Sequence, residues 1–549
     1  MRTGLYKLIA LLLILEASVF RPGLYAQTRP QSTVWTADNG NGTYKNPFLW
    51  GDWPDPDITR VGDTYYMIST SMHYVPGCPI LQSKDLVNWE MASYAVNRYD
   101  EDPRYDLQGG EMYLRGSWAA TIRHHNGLFY VGFCTPNWNG EKGHFSMCIS
   151  TNIKGPWKRT VFPEYLYDPG LFFDEDGKVY VVHGQGKLYV TELAADGLSV
   201  KGEKKMIWDR SIPIPEGSSA PRGNYGMEGS HVYKINGYYY ITCPAGGTEG
   251  WQMCLRSKSI YGPYESKVIV QDESSYPNNG LHQGGMIQVQ DGSWWFIIMQ
   301  DRGPIGRVPN LVPVVWKDGW PMLGKNGDGK GVIINTKPNV GKVYSTKIPA
   351  TSDEFNTMEL GLQWQWNHNP DNSKWSLKER PGYLRLHGGY AADLLQARNS
   401  ISQRVQGPAS SAVTELDFSK LKDGDVAGLA VFEKPYAFIG VQQQGAKRLL
   451  VMVNNGKIID SISNLKTARI WLKASATDKG FIASFAYSLD GKGFHDLGNE
   501  LKMGLGLTWT ANRFMLFHFN KIPGAMPGYA DYNWFHFSGS NELPVVVSY

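Results

Sequence analysis

DPDITRVGDTYYMIST (residues 55–70), WAATIRHHNGLFYVGF (118–133), DPGLFFDEDGKVYVVH (168–183), EGSHVYKINGYYYITC (228–243) and HQGGMIQVQDGSWWFII (282–298) are five versions of one pattern. Each runs from a polar or aromatic start through an apolar stretch to a glycine turn and then an aromatic cluster. Recurrence of this kind marks propellers or solenoids. The starts at 55, 118, 168, 228 and 282 leave 63, 50, 60 and 54 residues per copy, room for about four short strands, which is one propeller blade. Asn126-Gly127, Asp176-Gly177, Asn236-Gly237 and Asp291-Gly292 supply the positive φ that two-residue hairpins need. The five copies predict a five-bladed β-propeller.

Register then singles out side chains. Trp118 to Tyr130, Asp168 to Tyr180 and Glu228 to Tyr240 each span 12 residues. That spacing predicts that Asp55, Trp118, Asp168, Glu228 and His282 start equivalent innermost strands and converge on the propeller axis. Three carboxylates, an imidazole and an indole facing one cavity are costly to desolvate, and such convergence points to a binding or reaction site.

The flanks complete the architecture. The repeat stops after Trp320-Pro321, and a Gly-, Lys- and Asn-rich stretch from Gly324 to Gly331 leads out of it. Beyond residue 352, short alternating runs such as Arg469-Ile470-Trp471-Leu472-Lys473 are sandwich signals. The expected chain is all-β: a propeller over residues 40–345, then a β-sandwich over 351–541. At the N-terminus, Arg2 and Lys7 precede an apolar run from Leu8 to Leu15, with Ala26 before Gln27. Residues 1–26 therefore predict a cleaved signal peptide, because the run is too short to span a bilayer. The expected location is exported, periplasmic or secreted, with no membrane insertion after cleavage. With 54 basic against 51 acidic residues and no run of one sign, no footprint for nucleic acid is present. Cys78, Cys134, Cys148, Cys243 and Cys254 are odd in number and lack framework spacing, which predicts buried thiols.

Cleavage of a glycosidic bond needs one protonated carboxyl to give a proton to the leaving oxygen and one carboxylate to activate water or attack carbon. A third carboxyl nearby can raise the acid's pKa. Asp55, Asp168 and Glu228 can fill those roles.

NPFLWGDWPDPDI (46–58), SKDLVNW (83–89), YDPGLFFDEDG (167–177), MEGSHVYKINGYYY (227–240) and GRVPNLVPVVWKDGWP (306–321) resemble glycoside hydrolase family 43. SDEFNTMELGLQWQWNHNPDNSKWSL (352–377) and GYADYNWFHF (528–537) resemble the concanavalin A-like jelly-roll sandwich attached to many of its xylosidases and arabinofuranosidases. The resemblance implies an exo-acting, inverting hydrolase of plant cell-wall oligosaccharide or polysaccharide, in which Asp55 is the general base, Glu228 the general acid and Asp168 the residue that tunes and orients that acid. It implies that Arg307 contacts substrate, that His282 is the family's axial histidine, and that Tyr74, in STSMHYVPG (69–77), belongs to a pocket-lining loop with Trp118 nearby. Met72 and His73 depart from the xylosidase pattern there, which favours release of terminal α-L-arabinofuranosyl units from hemicellulose side chains over a β-1,4-xylosidase. A non-catalytic carbohydrate-binding propeller is the alternative from another class, disfavoured because none of the three acids is lost. No cofactor is expected for catalysis. Asp353 and Asp531, near the two ends of the second domain, are candidates for a structural calcium, which takes hard oxygen ligands. A loop of the sandwich is expected to lean over the propeller mouth.

Overall fold

The computed structural model describes residues 34–137, 140–209, 227–244, 251–272 and 280–543; the expected signal peptide lies outside them. Among the described residues, strands dominate and three short 3-10 turns are the helical elements; no helix is long and apolar enough to cross a membrane.

Five four-stranded antiparallel sheets make the propeller. Their innermost strands are Asp57–Val61, Ala120–His125, Gly170–Phe173, His231–Ile235 and His282–Gln288. The last packs against the first and closes the ring. Between neighbouring blades lie separate apolar layers, for example Ile122, Val131 and Phe133 with Ile68 and Ile80, and Phe296, Ile298 and Val312 with Tyr240 and Cys254. All five cysteines are buried free thiols, as their odd count predicts.

Two of the four turns are the expected two-residue hairpins: His125 faces Leu128 across Asn126-Gly127, and Ile235 faces Tyr238 across Asn236-Gly237. Asn126 (φ 48°) and Gly127 (φ 78°) carry the paired positive φ of that turn. Asp176-Gly177 instead sits in a five-residue connection between Phe173 and Val179, as does Asp291-Gly292 between Gln288 and Trp294. The longer turn hides an offset within the shared 12-residue spacing. Tyr130 pairs with Arg123 and Tyr240 with Tyr233, five residues after Trp118 and Glu228, whereas Tyr180 pairs with Phe172, four after Asp168. Asp168 and Glu228 therefore sit one residue out of step, and still converge.

The sandwich is two eight-stranded sheets among the described residues. Strict alternation in Arg469–Thr477 buries Ile470, Leu472, Ala474 and Ala476 against Leu429, Val431, Phe514 and Leu516 of the other sheet. The eighth strand of that other sheet is Tyr74–Val75, which comes from the propeller's first blade: Val75 pairs with Trp366 and Tyr74 with Asn367. A short piece of the propeller is thus sewn into the sandwich, and it lies immediately beside the site.

Candidate active site

The chain enters several innermost strands through a left-handed residue. Asp55 (φ 53°), Asp168 (φ 48°) and Gly229 (φ 53°) each stand two positions before the strand begins. Asp55 and Asp168 both precede a proline, Pro56 and Pro169, which restricts the backbone further. Left-handed conformation costs about 1–2 kcal/mol for a residue with a Cβ, and such strain concentrates at functional sites. Here it falls on two of the three acids.

Asp55, Asp168 and Glu228 line one cavity of about 100 Å³, together with Arg307, Trp118 and, from the sandwich, Trp509. Arg307 Nη1 donates to Asp55 Oδ1 at 2.7 Å and Thr70 Oγ1 to Asp55 Oδ2 at 2.5 Å. Gln185 Nε2 and Tyr167 Oη both donate to Glu228 Oε2, at 2.6 and 3.2 Å. Burial, with the Asp55 charge added, raises the Glu228 carboxyl above the ordinary range against those two hydrogen bonds. Asp168 is raised well above it by burial first and then by the charges of Glu228 and Asp55. Arg307 holds its own proton more tightly because of Asp55 and the other carboxylates around it. The cluster can therefore keep a carboxyl protonated beside an anchored carboxylate, which is the division of labour glycosidic cleavage needs.

Of the residues singled out in the sequence, Asp55, Trp118, Asp168, Glu228 and Arg307 meet here. His282 does not line the cavity. It is 4% exposed, with Nδ1 against the Gly280 carbonyl at 2.9 Å and Nε2 3.2 Å from Asp301, and its neighbour Gln283 takes the place on the wall. Tyr74 is a correction: it is 1% exposed, its ring lies under the Arg513 guanidinium at 4.1 Å, and it serves the joint between the domains. Met72 has φ 50°, and this left-handed turn leaves Met72 on the cavity wall while the chain beyond it joins the sandwich. Thr70, Tyr167, Gln185, Gln283 and Trp509 were not foreseen. Thr70 ends the first repeat copy, Tyr167 precedes Asp168 and Gln283 follows His282, so adjacency could have flagged these three; Gln185 and Trp509 carry no such signal. The expected lean of a sandwich loop over the mouth is realised by Trp509, whose ring meets Trp118 edge-on at 5.0 Å.

Asp353 and Asp531 do not fit a calcium site. Asp353 faces Phe535, four residues along the strand from Asp531, about 13 Å at the rise of a strand. Its oxygens accept from the Phe355 amide and the Trp364 indole, both at 2.8 Å. Asp531 accepts from Arg385 Nε at 2.7 Å and from Arg380 Nη1 at 2.8 Å. Each carboxylate is occupied by protein donors, and among the described residues no group of three or more His, Cys, Asp or Glu is gathered to hold a metal.

Three acids gathered with Arg307 and two tryptophans in one small cavity suit the cleavage of a glycosidic bond. The model for glycosyl hydrolases family 43 matches residues 44–321, and the model for the beta xylosidase C-terminal concanavalin A-like domain matches residues 352–538. A beta-xylosidase of Formosa agariphila is 34% identical over 92% of both chains. A non-reducing end alpha-L-arabinofuranosidase of Bacteroides ovatus is 30% identical over 90% of this chain and 94% of its own. A solved bifunctional GH43-CE protein of Bacteroides eggerthii superposes with a TM-score of 0.80 at 37% identity, covering 91% of this chain, which spans 64% of that longer one. The chain belongs to glycosyl hydrolases family 43: it is a glycosidase.

Proposed function

We propose that the protein is an exported, exo-acting, inverting glycosidase that releases one terminal pentosyl unit from plant cell-wall hemicellulose or its oligosaccharides, with β-D-xylosyl as the first reading and α-L-arabinofuranosyl as the second. The observation that carries it is the meeting of Asp55, Asp168 and Glu228 in a cavity of about 100 Å³ with Trp509 on its wall. Pockets for larger ligands run to about 300–1,000 Å³, so this one suits a single sugar ring.

Asp55, held by Arg307 and Thr70, retains lone-pair capacity on both oxygens and acts as general base. It takes a proton from a water whose oxygen bonds to the anomeric carbon. The bond from that carbon to the leaving oxygen breaks, and Glu228 gives that oxygen its proton. Both donors to Glu228 use Oε2, which leaves Oε1 to carry the proton. Asp168, raised by burial and then by the charges of its two neighbours, accepts from the Gly229 amide next to Glu228 and so orients the acid.

The preference for arabinofuranose drawn from Met72 and His73 loses half its footing, because His73 is fully buried in the domain joint and Met72 alone reaches the cavity. The name of the Formosa agariphila relative supports xylose; that of the Bacteroides ovatus relative supports the second reading. Side-by-side turnover of aryl β-D-xyloside and aryl α-L-arabinofuranoside, with the product's anomeric configuration followed by NMR, tests the proposal. Faster xyloside cleavage with inversion is expected. Faster arabinofuranoside cleavage makes the second reading correct, and cleavage of neither returns the protein to a sugar-binding propeller.

A further inference from the structure

Glu433 is a carboxylate that the chemistry above does not use. It follows the sandwich strand Asp425–Phe432 and is 0% exposed. Among the described residues no ion pair meets it. Instead, three donors from one loop converge on it: Leu507 N and Thr508 N donate to Oε1 at 2.6 and 2.8 Å, and Thr508 Oγ1 donates to Oε2 at 2.9 Å. The next residue in that loop is Trp509, on the wall of the cavity.

Burying a carboxylate away from any cation costs several kcal/mol before compensation, and a neutral side chain of the same shape would avoid that cost. Burial pushes Glu433 up to about 7, against the hydrogen bonds from Thr508, Leu507 and the Lys434 amide. Two consecutive amides aimed at one oxygen form an anion-holding nest, and charge-assisted bonds of this length are the strong ones. Trp509 itself is 44% exposed and meets Trp118 edge-on at 5.0 Å. The far end of the loop is also tied down, since Asn512 N donates to the Pro304 carbonyl at 3.0 Å and the Ala511 amide bonds to Asp52. Asp52 in turn accepts from the Arg307 amide at 2.9 Å, linking the loop to the residue that anchors Asp55.

We propose that Glu433 is a positioning residue for the pocket: its carboxylate clamps the loop from Gly504 to Asn512 and so fixes Trp509 over the terminal sugar, setting how tightly that sugar is held. This rests on the exo-glycosidase reading, and the test separates the two. Amide exchange over residues 505–510 is measured in the wild type, E433Q and T508V, and steady-state kinetics on an aryl xyloside and an aryl arabinofuranoside in the same proteins plus W509A and the double variant E433Q/W509A.

In E433Q the loop amides exchange at least about tenfold faster, and KM rises about five- to tenfold while kcat stays within about threefold. E433Q adds nothing further once Trp509 is alanine, because it acts through that ring. T508V, which removes one hydroxyl bond and leaves the carboxylate, moves both readouts the same way by less; should E433Q fail to fold, T508V decides. Unchanged loop exchange in a folded variant, or effects of E433Q and W509A that simply multiply, overturns the clamp. A wild type that cleaves neither glycoside overturns the functional reading instead, and the exchange measurements still decide the clamp.

Discussion

At the propeller mouth, Asp55, Asp168 and Glu228 line one cavity with Arg307, whose guanidinium bonds Asp55; on the sandwich, Asp417 and Asp531 face each other across neighbouring strands, bridged by Arg380, and Arg385 brings a second guanidinium to Asp531. Both clusters press like charges together in partly dry surroundings, and they resolve the conflict in opposite ways. Asp417 is held below the ordinary carboxylate range, the Arg380 contact outweighing burial. Asp168 and Glu228 are pushed above it. A buried carboxylate matched by guanidinium groups is a fastener between strands. One left undermatched keeps its proton into the pH range where chemistry happens, and that is a working state rather than a stable one.

The contrast breaks most visibly at Glu228. Glu228→Gln keeps the shape and the Gln185 contact but cannot give a proton, so turnover of xylobiose or another unactivated glycoside falls by about 10³–10⁴-fold. On a glycoside of an acidic phenol, which leaves without help, the loss is much smaller. Equal losses on the two substrates would show that Glu228 is not the acid. Circular dichroism and melting temperature stay close to those of the wild type, since the amide matches the protonated acid in shape and charge.

At the other cluster the signs reverse. Asp531→Asn leaves Arg380 with Asp417 and Arg385 with Glu379 as their remaining acidic partners, a loss of about 2 kcal/mol of stability, below the roughly 3–5 kcal/mol of a fully buried pair, while kcat/KM at a temperature where the variant is folded stays within about twofold because Asp531 touches no part of the cavity. Chelation with EDTA leaves the melting temperature of the wild type unchanged, because the arginines stand where a cation would. A large drop on chelation would restore calcium to this region and erase the distinction between the two clusters.

How far these regions could be read in advance follows from what each depends on. The propeller was legible because its blades repeat: five aromatic hairpins at near-constant spacing announce the architecture, and the acids stand at their starts. The offset of Asp168 against Glu228 was hidden, since a five-residue turn between Phe173 and Val179 compensates a shorter approach to the strand. Tyr74 was misplaced for a local reason. Two residues earlier, Met72 turns the chain into left-handed space, and the strand that follows pairs with Asn367 and Trp366, a partnership set by tertiary contact with no trace in hydrophobic alternation. Trp509 lies in a segment with no repeat to measure it against; its place on the wall depends on Glu433 and Asp52, which are far from it in the chain. Asp353 and Asp531 stand near the two ends of the domain in sequence, but registry along one strand separates them.

The smallest effect gives the finest comparison, and it turns on pH. Asp168 has a folded pKa raised well above the ordinary carboxylate value of 3.8, so between the unfolded value and the folded one the native state binds more protons than the unfolded chain. Stability from this group is full below the unfolded pKa and is lost as pH rises through the folded pKa. Asp417, lowered by Arg380, runs the other way: its contribution is present above the unfolded pKa and lost as pH falls through the folded one. Asp168→Asn removes the first dependence and leaves the second. At about pH 2.8, where Asp168 is largely protonated in both states, variant and wild type should have nearly the same stability against urea. At pH 7.5 the variant should be more stable by about 1–2 kcal/mol, the usual size of the gain when a functional site is relieved, although its activity falls because the carboxyl that holds the Gly229 amide beside Glu228 is lost. A gain of equal size at both pH values would mean that the benefit comes from packing or from release of the left-handed turn at Asp168, and that charge crowding is not what sets this cluster apart from the paired acids of the sandwich.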